Sequence, residues 1–570
     1  GDRRLVAYVV PAEAAAVGDP EAWNEALRAA LRRRLPGYMI PAAFVHLPAL
    51  PLTANGKVDR RALPTADAAP PQPPRGGLEQ ALAGIWCEVL GIAAVGTRES
   101  FFEVGGHSLL VPRLLALLRE RLGVELSIRG LFATPSVVAL AARLADGAEI
   151  PAESTDLAEL RADVVLDPDL RPRSPRTEGR LTPRALFLTG ATGFVGAFLL
   201  AELLATTPAE VHCLVRADDE AGARERLRRQ LVAYRLWHPW MEPRIVPVPG
   251  DLGRPRFGLS PDAFERLAGL LDGIYHCGAW VNFTYPYTML RASNVGGARE
   301  ALRLAVAGRL KPVHHISTLG VLAGSPEDGE WREDAPLPAP DGLVEGYAQS
   351  KWVAERILQL AQDRGVPVAV YRLGLVGGHS RTGVSNPRDL VWVWLKGMVR
   401  MEAATAAMDD LDLAPVDYVC RAIVHLSLQE GALGRTFHLN NPRPLPPEEV
   451  LDVLESLGYR LRRLPAEEWG RKVREELRRD PDHPLGPFAP LFASTAPAGP
   501  ETKKYDDRNT REGLAGSGIA CPPVDPELLA RALRFLIETG FLPPPPGEGA
   551  AVAASLRSSP SPYPPATPWA

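Results

Sequence analysis

A tyrosine and a lysine four positions apart suggest proton-transfer chemistry in this chain of 570 residues. The segment "EGYAQSKWVAERILQLA" has helical spacing of its apolar residues and places Tyr347 and Lys351 on one face. A lysine ammonium beside a phenol favours the phenolate, which predicts a lowered pKa for Tyr347. Tyr347 would then exchange a proton near neutral pH. Thr318, at the end of the strand-like "PVHHISTLGV", would hydrogen-bond the same substrate oxygen.

A glycine-rich turn earlier in the chain indicates a dinucleotide site. "RALFLTGATGFVGAFLLAELL" has the pattern of a buried strand, a turn and a helix. Its glycines let the backbone approach a pyrophosphate at the helix N-terminus. The spacing G-x-x-G-x-x-G resembles that of the short-chain dehydrogenase/reductase superfamily, especially its extended members. The predicted cofactor contacts in this turn are Gly190, Thr192, Gly193, Phe194, Val195 and Gly196.

Further segments predict the elements that must position these groups. "EVHCLVR", "RIVPVPGDL", "GIYHCGAWVNF", "PVHHISTLGV" and "VPVAVYRLG" have the pattern of strands, and helical patterns separate them. Such alternation predicts a parallel, doubly wound sheet of the Rossmann type, with catalytic groups at the carboxyl ends of the strands. His314 and His315 are adjacent on one strand and point to opposite faces, so they cannot ligate one metal. No metal site is predicted.

Arg216 ends the second predicted strand and favours NADPH, because an arginine there accommodates a 2′-phosphate. Asp218 and Asp219 follow beyond the strand end, where solvated loop charges are the simpler interpretation. Resemblance to the superfamily makes Arg226 a second phosphate contact, although a solvated helix face explains it equally well. The same resemblance places Asp251 and Leu252 near the adenine and Ala279 beside the cofactor.

Ser108 in "FFEVGGHSLL" starts the second of three amphipathic helical runs in residues 78–147. A helix N-terminus stabilises an attached phosphate, although a plain N-cap serine explains the position equally well. A hydrolase elbow would need Gly-x-Ser-x-Gly, and this chain has Leu110 at the last position.

The Ser108 segment resembles the phosphopantetheine attachment motif of peptidyl carrier domains in nonribosomal peptide synthetases. The resemblance implies a 4′-phosphopantetheine arm on Ser108. "LPGYMIPAAFVHLPALPLTANGKVDRRALP" resembles the end of an adenylation domain, and its Lys57 matches the lysine that reaches the acyl carboxylate and ATP phosphates in that family. This piece lacks a nucleotide-binding core, so we expect the C-terminal part of a longer synthetase.

Residues 155–542 resemble the thioester reductase domains that end some nonribosomal peptide synthetases. By that resemblance Thr318, and not Ser317, is the catalytic threonine, and Lys351 holds the nicotinamide ribose. The implied function is NADPH-dependent release of a carrier-bound acyl or peptidyl thioester as an aldehyde, or as an alcohol after a second reduction. The chain departs from the pattern of this family at Arg372-Leu373-Gly374, where the family often has Arg-Pro-Gly. We expect this difference to affect only local contacts near the nicotinamide.

Three alternatives stay open. A carboxylic acid reductase shares this domain order, although "GGHSL" and "NGKVDRRALP" are more typical of a peptide synthetase. A related domain would instead cyclise its substrate without redox chemistry, which intact Tyr347 and Lys351 argue against. The third alternative is a carrier and docking scaffold with an inert Rossmann domain.

Composition and linkers give the organisation and the compartment. The net charge of −4 means that the chain has no surplus of basic residues for binding nucleic acid. No apolar run is long enough to span a membrane. The five cysteines are scattered along the chain, which is typical of a protein in the reducing cytoplasm. Expected partners are the thioester substrate, upstream adenylation and condensation domains, and a phosphopantetheinyl transferase. The predicted organisation is a small α+β adenylation remnant (1–66), a linker (67–77), a helical-bundle carrier domain (78–147), a linker and lead-in (148–180), an α/β reductase (181–542) with a mostly helical substrate subdomain from about 385, and a disordered tail (543–570).

Overall fold

The computed structural model of the chain describes two compact units. The first comprises Gly1–Ser154 with Asp480–Asp482, and the second comprises Thr155–Arg479 with His483–Ala570. Predictions for Lys57, Ser108 and the end of the tail (547–570) lie outside the described residues. The described residues are 6–10, 24, 27, 43–47, 49–51, 63–64, 74, 76–92, 94–101, 104, 110–124, 126, 130–131, 134–145, 157–172, 182–283, 285–322, 329–480, 483–486 and 504–546.

The first unit contains a strand pair and three helices. Strands β1 (Val6–Val9) and β2 (Ala43–His46) pair in parallel in the N-terminal piece. Helices α1 (Gly77–Leu90), α2 (Val111–Leu122) and α3 (Val137–Ala145) follow the three predicted amphipathic runs.

Local sequence signals set the ends of these helices. Gly91 ends α1 and Gly123 ends α2, with φ of 68° and 63°, a conformation that costs glycine little. The Ser136 hydroxyl accepts a backbone hydrogen bond at 3.2 Å at the start of α3. The apolar faces meet around Trp86, whose ring lies edge-on to Phe101 with 5.3 Å between centroids.

In the second unit, strands alternate with helices along the chain. A π-helical turn (Ala292–Gly296) joins α8 to α9. The strands are β3 (Ala185–Thr189), β4 (Glu210–Val215), β5 (Ile245–Pro249), β6 (Gly273–His276), β7 (Val313–Thr318), β8 (Glu330–Trp331), β9 (Val368–Leu373), β10 (Val376–Gly377), β11 (Ala403–Ala404), β12 (Ala414–Pro415), β13 (Thr436–Leu439), β14 (Arg462–Arg463) and β15 (Lys504–Tyr505). The helices are α4 (Leu157–Asp163), α5 (Phe194–Thr206), α6 (Glu220–Ala233), α7 (Pro261–Leu270), α8 (Tyr287–Arg291), α9 (Gly297–Val306), α10 (Gly346–Asp363), α11 (Leu390–Met401), α12 (Val416–Ser427), α13 (Pro447–Ser456), α14 (Ala466–Arg479), α15 (Arg508–Leu514) and α16 (Pro526–Glu538).

Seven strands form one parallel sheet in the order β13-β9-β7-β6-β3-β4-β5. Strands β3 and β9 are buried along their whole length, as a parallel sheet with both faces covered requires. The chain winds from β3 to one edge and then returns to β6 on the other side. The order therefore reverses between β3 and β6, where doubly wound sheets bind ligands at the carboxyl ends of their strands. The predicted fold class is confirmed.

The segment from residue 385 onward is mostly helical, and one of its strands joins the central sheet. Strand β13 pairs with β9, with Phe437 opposite Tyr371. One apolar core cluster contains Phe198 of α5, Cys420 of α12 and Leu533 of α16. The sequence misses this union because a strand of four residues, "TFHL", is too short for its alternation to stand out.

Candidate active site

Backbone contacts explain the glycines of the turn between β3 and α5. Gly190 has φ of 78°, and a Cβ there would lie 2.7 Å from the Cα of Gly278. A Cβ on Gly196 would lie 2.0 Å from the Gly190 carbonyl oxygen, so only glycine lets α5 approach β3 this closely. Gly193 is the N-cap of α5. The N-terminus of α5 is therefore open to an anionic group.

A cavity of about 820 Å³ lies at the carboxyl ends of the sheet strands. Its size and its glycine-lined wall fit a dinucleotide. The structure brings all of the predicted catalytic and cofactor-binding residues of the reductase to its lining: Gly190, Thr192, Gly193, Phe194, Val195, Gly196, Arg216, Arg226, Asp251, Leu252, Ala279, Thr318, Tyr347 and Lys351.

Strand β7 and helix α10 bring Thr318 and Tyr347 to this cavity. The Thr318 Oγ1 accepts a hydrogen bond from the backbone N–H of Gly320 at 3.1 Å. Because a hydroxyl is also a donor, the Thr318 O–H can serve an oxygen in the cavity. Tyr347 lies in the first turn of α10, where its ring meets Phe283 edge-on with 5.7 Å between centroids. A Cβ on the preceding Gly346 would lie 2.3 Å from a backbone oxygen, so glycine lets this turn pack closely.

Lys351 lies one turn further along α10 and is 2% exposed. Its Nζ donates hydrogen bonds to the Ile316 carbonyl oxygen at 2.7 Å and to His315 Nε2 at 3.1 Å. Burial lowers the pKa of Lys351 to about 8, against the opposing charge of Glu355. The amine is therefore mainly cationic at neutral pH.

The predicted lowering of the Tyr347 pKa is wrong for this structure. Burial raises the pKa of the Tyr347 phenol above its ordinary value, and the Cys277 thiol adds to the rise. Tyr347 and Lys351 lie on one face of α10, as their spacing predicts, but Lys351 directs two of its three donors to β7. Tyr347 therefore keeps its proton at neutral pH, which is the form of an acid catalyst.

Ser317 and Thr318 have different surroundings. The buried Ser317 hydroxyl donates to Glu355, which is paired with Arg372 at 2.9 Å; both side chains of the pair are 4% exposed. Arg372 also lies 3.3 Å from His438 Nε2, across the β9–β13 junction. The arginine of the Arg372-Leu373-Gly374 departure thus belongs to a buried polar network, whereas Leu373 and Gly374 line the cavity.

Arg216 follows β4, and its Nε lies 3.2 Å from the Asp251 carboxylate, with 64% of the arginine side chain exposed. Arg226 on α6 donates a hydrogen bond to the Arg216 carbonyl oxygen at 2.8 Å. Both arginines line the cavity, and this hydrogen bond keeps them close to each other. Asp219 instead caps α6 by accepting a backbone hydrogen bond at 2.7 Å, and neither it nor Asp218 lines the cavity.

Asn294 is a buried polar residue beside the site that the sequence did not reveal. It lies in the π-helical turn, where its amide accepts from Trp280 N at 2.7 Å and donates to Ser350 Oγ at 2.8 Å. These bonds tie the loop after β6 to the helix that carries Tyr347. A single asparagine in an amphipathic run gives no sequence signal, because its partners are distant in the chain.

The cavity also has aromatic and acidic groups that a dinucleotide fold alone does not need. Trp280, Phe283 and Tyr505 line it, together with Asp389 and Asp412. Burial raises the pKa of each of these two carboxyl groups to about 6. These residues belong to loops and element ends, where no periodic pattern marks them.

Three parts of the chain match known families. Residues 188–423 match the NAD-binding family described as male sterility protein, and residues 80–144 match the phosphopantetheine attachment site family. Residues 1–57 match the C-terminal domain of AMP-binding enzymes. The predicted order of adenylation end, carrier and reductase is confirmed.

Similar proteins come from peptide synthetase systems. A linear gramicidin synthase of Brevibacillus parabrevis is 39% identical over 562 residues, which cover 95% of this chain and 11% of that protein. The isonitrile lipopeptide synthase of Streptomyces coeruleorubidus is 39% identical over 587 residues, which cover 96% of this chain and 39% of that protein. The crystal structure of the terminal R domain from the myxalamid PKS-NRPS biosynthetic pathway is 44% identical, with a TM-score of 0.65, and covers 69% of this chain and 100% of its own. The chain thus spans less than half the length of these two synthases.

The parallel sheet, the glycine turn and the cavity define an oxidoreductase of the NAD(P)H-dependent class. Within that class, the chain belongs to the family of terminal reductases of nonribosomal peptide synthetases. Its domains accordingly bind a nicotinamide dinucleotide and a phosphopantetheine group. Within the described parts of the chain, no helix has both the length and the apolar character to cross a membrane.

Proposed function

We propose that this chain releases a carrier-bound acyl or peptidyl thioester by NADPH-dependent reduction, with an aldehyde as the first product. The observation that carries the proposal is the meeting of Thr318, Tyr347 and Lys351 with the glycine turn in one cavity. In this proposal the substrate arm is attached to Ser108 by a phosphopantetheinyl transferase. The acyl group comes from upstream adenylation and condensation domains, and Lys57 marks the end of the adenylation domain.

The site suits NADPH in three respects. The glycine turn admits a pyrophosphate to the N-terminus of α5, because no side chain intervenes. Arg216 and Arg226 would hold the 2′-phosphate, with Asp251 and Leu252 near the adenine and Ala279 further along the cofactor. Lys351 would bind the nicotinamide ribose. Bound NADPH would supply the hydride for the carbonyl carbon of the thioester.

Tyr347 and Thr318 would act on the oxygen of that carbonyl. As a C–H bond forms at the carbon, the oxygen gains negative charge, which the two hydroxyl groups stabilise as hydrogen-bond donors. Tyr347 then gives its phenolic proton to the oxygen, which yields a hemithioacetal. Its raised pKa keeps the proton in place until this step. Lys351 contributes positive charge next to the phenolate that remains.

Collapse of the hemithioacetal releases the product. The hydroxyl loses its proton, the C=O bond re-forms and the C–S bond breaks, so the arm leaves as a free thiol. The released aldehyde has the same carbonyl chemistry as the thioester, and the same three side chains would serve a second reduction to the alcohol.

Trp280, Phe283 and Tyr505 would contact the acyl part of the substrate, because they line the same cavity and are not among the residues assigned to the cofactor. Asp389 and Asp412 add hydrogen-bonding groups to this wall. The expected result is selectivity among acyl groups that depends on these side chains.

The direct test is NADPH oxidation with a small acyl thioester, followed by mass spectrometry of the product released from a loaded carrier. Consumption of one NADPH with formation of an aldehyde supports the proposal, and two NADPH with an alcohol supports its four-electron form. A cyclic product without NADPH consumption would identify the non-redox alternative. Tight NADPH binding without turnover of any thioester would favour the scaffold alternative.

A further inference from the structure

His315 makes a contact with Lys351 that the proposed mechanism does not use. His315 Nε2 lies 3.1 Å from Lys351 Nζ, and the histidine is 0% exposed. Lys351 also donates to the Ile316 carbonyl oxygen at 2.7 Å. An ammonium has three N–H donors, so these two bonds fix its orientation and leave one donor for the cavity that Lys351 lines.

The chemistry of the two groups sets the direction of this hydrogen bond. An ammonium donates and cannot accept, so His315 Nε2 must be the acceptor. Burial, followed by the charge of Lys351, lowers the pKa of His315 well below its ordinary value. His315 is therefore neutral, with its proton on Nδ1.

The other titratable groups near Lys351 come from β6 and the residue after it, from α10 and from β9. His276 ends β6, and Cys277 follows it. Both are neutral, because burial lowers the pKa of the His276 imidazole to about 3 and raises the pKa of the Cys277 thiol to about 12. Tyr347 is also neutral at pH 7 because of its raised pKa. Glu355 is the carboxylate on α10, and Arg372 already pairs with it at 2.9 Å.

A buried histidine at this position carries a cost that an apolar residue would avoid. Within the described part of the chain, His315 Nδ1 has no hydrogen-bond partner. The same holds for Nε2 of His276, whose ring stacks on His315 with 5.3 Å between centroids. A buried donor without a partner is destabilising. His315 offers Lys351 a hydrogen-bond acceptor, which the side chain of a leucine or a phenylalanine could not provide.

We propose that His315 is a positioning residue that directs the Lys351 ammonium to the cofactor by accepting its hydrogen bond. The inference rests on the proposed function, because the role of Lys351 is to bind the nicotinamide ribose. An acceptor favours the charged amine, so removing it should lower the pKa of Lys351 from its present value of about 8.

The test is NADPH binding to the full chain, measured by fluorescence titration between pH 6 and 9.5, with no thioester present. The variants are His315→Leu, which removes the acceptor, and His315→Gln, whose carbonyl oxygen can take the place of Nε2. His314→Leu is the matched control, because His314 is the buried neighbour on the opposite face, 3.2 Å from the Tyr371 hydroxyl.

In the wild type, affinity for NADPH should fall above about pH 8, as Lys351 loses its proton. In His315→Leu this fall should begin about one to two pH units lower, from the usual strength of a hydrogen bond to a charged group. Affinity at pH 8 should accordingly be about tenfold weaker. His315→Gln and His314→Leu should both keep the wild-type pH dependence of NADPH binding. His314→Leu should lower the thermal stability, because it removes the hydrogen bond between His314 and the Tyr371 hydroxyl.

An unchanged pH dependence in His315→Leu would overturn the inference, because the Ile316 carbonyl would then suffice. If His315→Leu does not fold, His315→Asn replaces it, since its carbonyl is one bond shorter and cannot reach Lys351 as glutamine does. A shift in asparagine but not in glutamine supports the inference, and any other pattern rejects it. Failure of the proposed function is distinguishable, because the wild type would then bind NADPH but reduce no thioester.

Discussion

Replacing Arg216 by alanine tests which cofactor the site prefers. Its guanidinium lies beside Asp251, with the Nε 3.2 Å from the carboxylate, at the end of β4 where a 2′-phosphate is expected. The substitution removes a cation from this end of the cavity and also leaves Asp251 without its ion-pair partner. NADPH carries the 2′-phosphate and NADH does not, so only NADPH should bind more weakly.

The exposure of Arg216 sets the magnitude. A hydrogen bond to a charged group contributes about 1.5–3 kcal/mol, and solvent screening reduces the contribution of exposed charges. The arginine side chain is 64% exposed, so we expect the lower limit. A loss of about 1.5 kcal/mol corresponds to a NADPH dissociation constant about tenfold higher. The freed Asp251 carboxylate would add repulsion to the same cofactor.

Fluorescence titration with NADPH and NADH measures both affinities on one preparation. Arg216→Ala combined with Asp251→Asn separates the lost contact from the added repulsion, because the double variant has no unpaired carboxylate. Asp219→Asn is the control, since that residue caps α6 away from the cavity. Equal weakening for NADPH and NADH would refute the reasoning and make Arg216 a structural residue.

Three further predictions concern the reaction, the buried network and the carrier. Tyr347→Phe should lower NADPH oxidation with an acyl thioester about a hundred- to ten-thousandfold while NADPH affinity persists; turnover at the wild-type rate would contradict the mechanism. Arg372→Met leaves the Glu355 carboxylate buried without its partner and should cost about 3–5 kcal/mol of stability in thermal unfolding. Adding Glu355→Gln should recover part of that loss, and an unchanged melting temperature in the single variant would disprove the account. Ser108→Ala should gain no phosphopantetheine in intact-mass measurements after treatment with a phosphopantetheinyl transferase, whereas a gain would refute the attachment site.

The sequence predicted the central fold well because its signals are local. Each strand from β3 to β9 in the central sheet is an apolar run next to a helical pattern, and the glycine turn follows directly after β3. Gly91 and Gly123 end their helices by a local signal of this kind, since a left-handed glycine follows the last helical turn in each case. Such features need only neighbours within about one turn of chain.

Features that depend on distant partners were missed or misjudged. Strand β13 is four residues long, and only pairing with β9 stabilises it as part of the sheet. Asn294 gains its bonds from the loop after β6 and from α10. The pKa of Tyr347 was predicted from its spacing to Lys351, whereas burial determines it in the folded chain.

The sequence by itself determined the domain order, the parallel sheet and the identity of the side chains that could react. The domain order follows from family motifs, and the sheet and side chains follow from residue types, periodicity and spacing, all of which the chain has before it folds. Only the tertiary structure decided the partners of three neighbouring residues on β7. The Ser317 hydroxyl donates to Glu355 of the Glu355–Arg372 pair, whereas Thr318 accepts from the Gly320 backbone N–H at the cavity. His315 accepts a hydrogen bond from Lys351. The reason is that hydrogen-bond direction and desolvation depend on which distant groups packing brings together, and no local pattern encodes them.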